Sequence, residues 1–326
     1  MKAQRKTALV ILFNHNYEKN IPILKRLYRD RFACLKLLMP FYYGDDEDVI
    51  PVYGNSFTFH SFIAQAREKL LALECDDYLI IGDDLLLNPE LNSDNIHEKL
   101  SIEGGSFYID GVADVSKGEY YRPVYEASCF SPNYPGLDKS ANRCLPSYED
   151  AFTILKKKGV ISSSTLSKWT PYYPSMKKWS LKTLYSNYKT FRGWIWHFLK
   201  VLKYKFNPVK MPYPYVFGYS DIVLIPREKM NSWCNYLEVF ATWRMFVEMA
   251  IPTAIMLVPD AKVVFSDKIT YKTGNVFYPQ STQHYNKISA IIEALHNNAT
   301  TSQELLVNFP SEYLYLHPVK LSKYKE

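Results

Sequence analysis

The chain has 326 residues, 47% of them hydrophobic and 22% charged, which is enough apolar material for a sizeable core and argues against wholesale disorder. Five cysteines, an odd number with no CxxC spacing, argue against a disulfide framework or a zinc site and point to a reducing, cytoplasmic compartment. The net charge of +6 conceals a strong asymmetry: residues 151–220 hold 13 Lys or Arg and no acid, whereas the remainder holds 26 basic and 33 acidic residues.

The first apolar run, Thr7 to Asn14, reads as a buried parallel strand that ends in polar residues. Its core, Ala8 to Phe13, is too short and too soon followed by Asn14-His15-Asn16 for a secretory signal. No window approaches the roughly 20 apolar residues of a spanning helix, so the expectation is a soluble or peripheral protein. Residues 19–31 place Ile21, Leu24, Leu27 and Tyr28 at helical spacing, 33–41 read as a second strand, and 57–74 as a long amphipathic helix. Tyr78 to Ile81 form a third strand, which runs straight into Gly82-Asp83-Asp84. Strand, helix, strand, helix, strand is the opening of a doubly wound α/β domain.

Beyond Pro89 the pattern loosens. Residues 104–115 read as a strand pair, 118–150 as loop, and 148–158 and 180–204 as helices. Order returns with a strand at 216–226 that carries Asp221 near its start, a helix at 227–249, a strand at 251–259 and a helix at 287–298. A single domain over 1–326 with a long insertion is expected: a nucleotide-binding half over 1–100, a loop-rich and basic helical insertion over 105–215, and an acceptor-binding half with a C-terminal tail over 216–326.

Two adjacent carboxylates at a strand end need an explanation. About 4 Å apart, they repel by several kcal/mol at an effective dielectric of ~20. Ligands of open α/β sheets bind beyond the carboxyl ends of the strands, and a divalent cation there would remove the repulsion and hold a diphosphate. The competing reading is an Asx-type turn on an exposed loop.

A strand of large apolar residues that ends in an acidic cluster, followed by apolar residues and Asn88-Pro89, resembles the DxD region of GT-A fold glycosyltransferases. The order of elements over roughly 1–100 and 215–265 is similar too. The triplet here is Gly82-Asp83-Asp84, without the first acid. The resemblance implies a GT-A-like, Rossmann-type mixed α/β sheet flanked by helices, a nucleotide-diphosphate sugar as donor, and Mn²⁺ or Mg²⁺. It implies Asp84 as metal ligand, Asp83 facing sugar or ribose, and a nucleotide pocket begun by Asn14, His15 and Asn16. Gln65 and Arg67 lie on the helix before the acidic strand, as is usual in that family. A C-terminal histidine commonly completes the metal site, and His284 is the best placed. Glu238 matches the catalytic base of inverting members, Glu248 is a second acid in apolar surroundings, and Asp221 a third candidate that binds the acceptor hydroxyl. The acceptor would be a glycan or lipid-linked glycan of surface-polysaccharide assembly.

The basic, aromatic stretch 177–205 carries Trp179, Trp194 and Trp196 among lysines, a composition that docks on anionic membranes. No nucleic-acid module is present in the sequence. Two other readings stay open. A sugar nucleotidyltransferase would share the sheet and the metal logic, although its Gly-rich loop is missing from FNHNYEKN. A membrane-surface binding module built on a degenerate transferase is the non-enzymatic reading, and Gly82 keeps it open.

Overall fold

The structure is a computed structural model that describes residues 5–32, 34–117, 130–133, 139–166, 209–276 and 282–324. The basic stretch 177–205, and with it the helix expected at 180–204, lies outside the described residues. In chain order the strands are β1 (Thr7–Leu12), β2 (Leu35–Pro40), β3 (Val49–Val52), β4 (Asp77–Gly82), β5 (Leu86–Leu87), β6 (Ser106–Ile109), β7 (Thr165–Leu166), β8 (Val209–Lys210), β9 (Ile222–Pro226), β10 (Lys262–Val264), β11 (Lys272–Asn275) and β12 (Tyr313–His317). The helices that frame them are α1 (Asn20–Tyr28), α2 (His60–Leu71), α3 (Ile96–Lys99), α4 (Tyr148–Lys157), α5 (Met230–Thr242), α6 (Val247–Leu257), α7 (Thr282–Asn298) and α8 (Ser302–Val307).

Seven strands form one mixed sheet in the order β10-β6-β9-β4-β1-β2-β3. β9 runs antiparallel to both of its neighbours, β4 and β6; the other pairings in the sheet are parallel. A strand buried on both faces reads as a continuous apolar run, and β1 and β4 are such strands. Their side chains alternate between two cores. Ala8, Val10, Tyr78 and Ile80 face one core with α2, α5 and α6, whereas Leu9, Ile11, Leu79 and Ile81 face the other with α1, α7 and β12. The molecule is thus a three-layer α/β arrangement. A second sheet, β11-β12-β5, folds the C-terminal strand against the end of β4.

Three expectations need correction. The segment 251–259 is not a strand; all of it up to Leu257 belongs to α6, all eleven of whose residues are buried. A segment buried all round shows no periodicity by which helix and strand could be told apart. The helix expected at 227–249 stops at Thr242, where Arg244 turns into the left-handed region (φ 57°), and α6 starts afresh at Val247. The strand pair expected at 104–115 reduces to β6, and Ala113 adds a single bridge to Phe217. Among the described residues no helix is long and apolar enough to cross a membrane.

Candidate functional site at the end of β1 and β4

From β1 the chain builds outward through β2 and β3 on one side and returns to place β4 on the other. The crossovers diverge between β1 and β4, which opens a crevice at their carboxyl ends, the place where ligands bind in such sheets. β1 delivers Asn14 and His15 there, and β4 delivers Asp83 and Asp84.

The two aspartates do not share one role. Asp83 turns inward: it is 6% exposed, its N–H donates to the Leu12 carbonyl (2.9 Å), and its Oδ1 accepts from the Asn14 N–H (3.3 Å). Burial first, and the Asp84 charge second, push the Asp83 carboxyl up to about 7, against the pull of its hydrogen bonds to the Asn14 and Asp83 N–H groups and the Asn20 side chain. Asp83, expected to face sugar or ribose, braces the β1 and β4 ends, and it is Asp84 that lines the cleft.

β9 is antiparallel to β4, so its amino end meets the carboxyl end of β4 and brings Asp221 alongside. The Gly82 N–H donates to the Asp221 carbonyl (3.0 Å). A Cβ at position 82 would emerge 3.5 Å from Asp84 Oδ1 and 3.7 Å from Asp221 Cβ. The Asp221 side chain thus lies beside the place where a side chain at position 82 would emerge.

The C-terminal strand adds an imidazole. β12 pairs antiparallel with β5, Tyr315 opposite Leu87 and Leu316 opposite Leu86, so the next residue, His317, arrives beside Asp84. His317 Nε2 lies 2.9 Å from Asp84 Oδ1 and 3.9 Å from Asp221 Oδ2, and the Val319 N–H donates to the Asp84 carbonyl (2.7 Å). Burial opposes a charge on His317, but the Asp84 hydrogen bond and the Asp221, Asp84 and Asp83 charges outweigh it and raise its pKa.

Glu248 enters from the first turn of α6. Pro252 has no N–H to give the Glu248 carbonyl four residues back, and the Gly218 N–H takes that place (2.9 Å). Thr253 Oγ1 accepts from the Val216 N–H (3.0 Å) and donates to its carbonyl (3.3 Å). These bonds tie the start of α6 to the segment that leads into Asp221. Behind them Asp110, at the end of β6, accepts from the Tyr108 and Tyr315 hydroxyls, and burial and the Asp221 charge lift its carboxyl to about 6 despite those bonds. Tyr219 stacks on Tyr315 (5.8 Å between centroids) and touches the His317 ring, while its buried hydroxyl makes no hydrogen bond.

The cleft these residues enclose measures about 320 Å³. Asn14, His15, Ser56, Asp84, Asp221, Glu248 and His317 are its polar lining, and Phe57, Phe59, Phe246 and Val247 its apolar lining. Among the described residues no three His, Cys, Asp or Glu side chains are gathered around one point as metal ligands are.

Of the residues singled out in the sequence, Asn14, His15, Asp84, Asp221 and Glu248 converge here. The others sit elsewhere. Gln65 clamps the backbone after β3, donating to the Tyr53 carbonyl and accepting from its N–H, both at 2.8 Å. Arg67 reaches across to α5, to Asn235 (2.9 Å) and to Glu238 (3.6 Å), whose side chain is 51% exposed. These contacts make Gln65, Arg67 and Glu238 part of the packing of α2, and none lines the cleft. Asn16 donates to the Phe41 carbonyl (2.9 Å) and pins the loop after β1 to that after β2. His284 lies in the first turn of α7, away from the cleft lining; the C-terminal histidine beside Asp84 is His317. His317, Tyr219 and Asp110 escaped the sequence reading, and a histidine ending the apolar run YLYLH before Pro318 was their one visible trace. In comparison with known proteins, the chain matches no family model and no curated sequence.

Proposed function

We propose that the protein is a glycosyltransferase of the GT-A type, moving a sugar from a nucleotide-diphosphate donor to a hydroxyl of a glycan or lipid-linked glycan acceptor. The observation that carries this reading is the convergence of Asp84, Asp221, Glu248 and His317 in one cleft at the switch point of the sheet. A mixed seven-stranded α/β sheet with the acidic cluster at the end of β4 supports it further.

In this reading the nucleotide lies across the ends of β1 to β3, against Asn14 and His15, with its diphosphate beside Asp84. Asp84, Asp221 and His317, which face one another in this structure, are the residues that would turn to hold Mn²⁺ or Mg²⁺; carboxylate oxygens suit either ion. When bound, the cation would neutralise charge on the diphosphate. The bond from the anomeric carbon to the diphosphate oxygen breaks as the acceptor oxygen attacks. Glu248, at the start of a helix fixed against the Gly218 segment, accepts the acceptor hydroxyl proton. Asp221 accepts a hydrogen bond from a neighbouring acceptor hydroxyl and orients the ring.

A thermal-shift panel of UDP-, GDP-, dTDP- and CMP-sugars with and without Mn²⁺ tests the proposal. One donor class raises Tm in a Mn²⁺-dependent manner, and Asp84→Ala removes that dependence. A panel without any shift, or an Asp84→Ala variant that keeps the full Mn²⁺ response, overturns the assignment.

A further inference from the structure

The cleft lining is of two kinds. Asp84, Asp221, Glu248 and His317 contribute polar groups, and Phe57, Phe59, Phe246 and Val247 contribute apolar surface. Phe59, Phe246 and Val247 are buried, whereas Phe57 keeps open surface, its ring tilted by 45° on that of Phe246 with centroids 5.0 Å apart. Phe57 is the accessible ring and the others are its backing.

This wall is held in place from both ends. The Phe57 N–H donates to Asn55 Oδ1 (3.0 Å), capping a short 3-10 turn over Ser56–Thr58. Phe246 is the N-cap of α6, and its carbonyl accepts from the Met249 and Ala250 N–H groups, both at 2.9 Å. Glu248 follows two residues later on the same rigid helix start. An aromatic face and a proton-accepting carboxylate are therefore fixed in one unit.

An occupant must match both kinds of surface. A purely apolar ligand would strip water from Glu248 and Asp221 with nothing in return. A ligand carrying a carboxylate would bring a further negative charge beside Asp84, Asp221 and Glu248. A neutral pyranose satisfies both: its C–H face lies on an aromatic ring while its rim of hydroxyls donates to carboxylates.

The geometry points to Phe57, backed by Phe246, as the stacking platform for the terminal sugar of the acceptor, an uncharged hexopyranose whose hydroxyls are directed at Glu248 and Asp221. This rests on the proposed sugar transfer and adds to it the acceptor class and the residue that selects it.

Saturation-transfer NMR on the full chain tests it with methyl glucoside, methyl galactoside, methyl N-acetylglucosaminide and, as the charged counterpart, methyl glucuronide. At least one neutral glycoside receives saturation chiefly at its ring C–H protons, and the glucuronide receives none. Phe57→Ala and Phe57→Leu weaken that binding by about tenfold or more, while Phe57→Tyr retains it; Phe57→Leu keeps apolar bulk and guards against a folding defect in Phe57→Ala. Equal binding by Phe57→Leu and the parent, equal binding of glucuronide, or no binding of any neutral glycoside overturns the inference. A protein that shifts with a nucleotide sugar yet binds no neutral glycoside refutes the platform and leaves the transferase reading intact. One that binds a glycoside through Phe57 but responds to no nucleotide sugar refutes the transferase reading and leaves the platform as a sugar-binding site.

Discussion

Replacing Asp83 by Asn tests the division of labour between the two neighbouring acids. The Asp83 carboxyl is held at about 7 against an ordinary 3.8, by burial and by the Asp84 charge. Three pH units at about 1.4 kcal/mol each separate its protonated and ionised forms by about 4 kcal/mol in the folded protein. The sign follows from proton counting. Between pH 3.8 and 7 the unfolded chain has lost this proton and the folded one retains it, so this residue makes stability fall as pH rises through that window and level off above it. Asn keeps an oxygen for the Asn14 N–H and does not titrate. Linkage over pH 5 to 8 then gives the Asp83→Asn variant a relative gain of about 2.5 kcal/mol over the parent. Urea unfolding of both proteins at pH 5 and pH 8, with a chelator present, measures it. An Asp84→Asn background, which removes the second cause, should shrink the gain. A stability difference between variant and parent that stays flat from pH 5 to pH 8 refutes the buried, protonated Asp83.

Glu248→Gln is expected to lower sugar transfer by about 100-fold or more, the usual cost of removing a general base, at unchanged donor binding. Glu238→Gln, which disturbs only a half-exposed pair with Arg67, should leave turnover within roughly twofold; steady-state kinetics of the two variants separates the candidates. Tyr219→Phe deletes a buried hydroxyl that makes no hydrogen bond, so thermal unfolding should find it as stable as the parent or up to about 1 kcal/mol more stable. Gly218→Ala would drive a Cβ to 2.4 Å from the Gly111 carbonyl and 3.3 Å from Pro252 Cβ. It should cost about 1–3 kcal/mol in urea unfolding and, by shifting the Gly218 N–H from the Glu248 carbonyl, reduce turnover as well.

Much of the architecture is local and was legible in the sequence. β1 and β4 are unbroken apolar runs, α1 and α2 carry their apolar residues at helical spacing, and polar residues mark the strand ends. Asp84 could be named from that, Glu248 from its apolar neighbours and Asp221 from its place before the run IVLIP, whereas Asn14 and His15 were named on the resemblance to GT-A glycosyltransferases. α6 was misread because a segment apolar at nearly every position has no preferred face from which to infer its period.

What tertiary structure decided were the relations between distant segments. The side of α2 that met α5 paired Arg67 with Asn235 and Glu238, outside the cleft lining. The antiparallel placement of β9 brought Asp221 beside Gly82. His317 lies 233 residues from Asp84 and meets it only through the register of β12 on β5. Local spacing governs strand and helix because it acts through neighbours a few residues apart. Which charged groups share a cleft depends on strand order and register, and these follow from burying two apolar faces of one sheet at once.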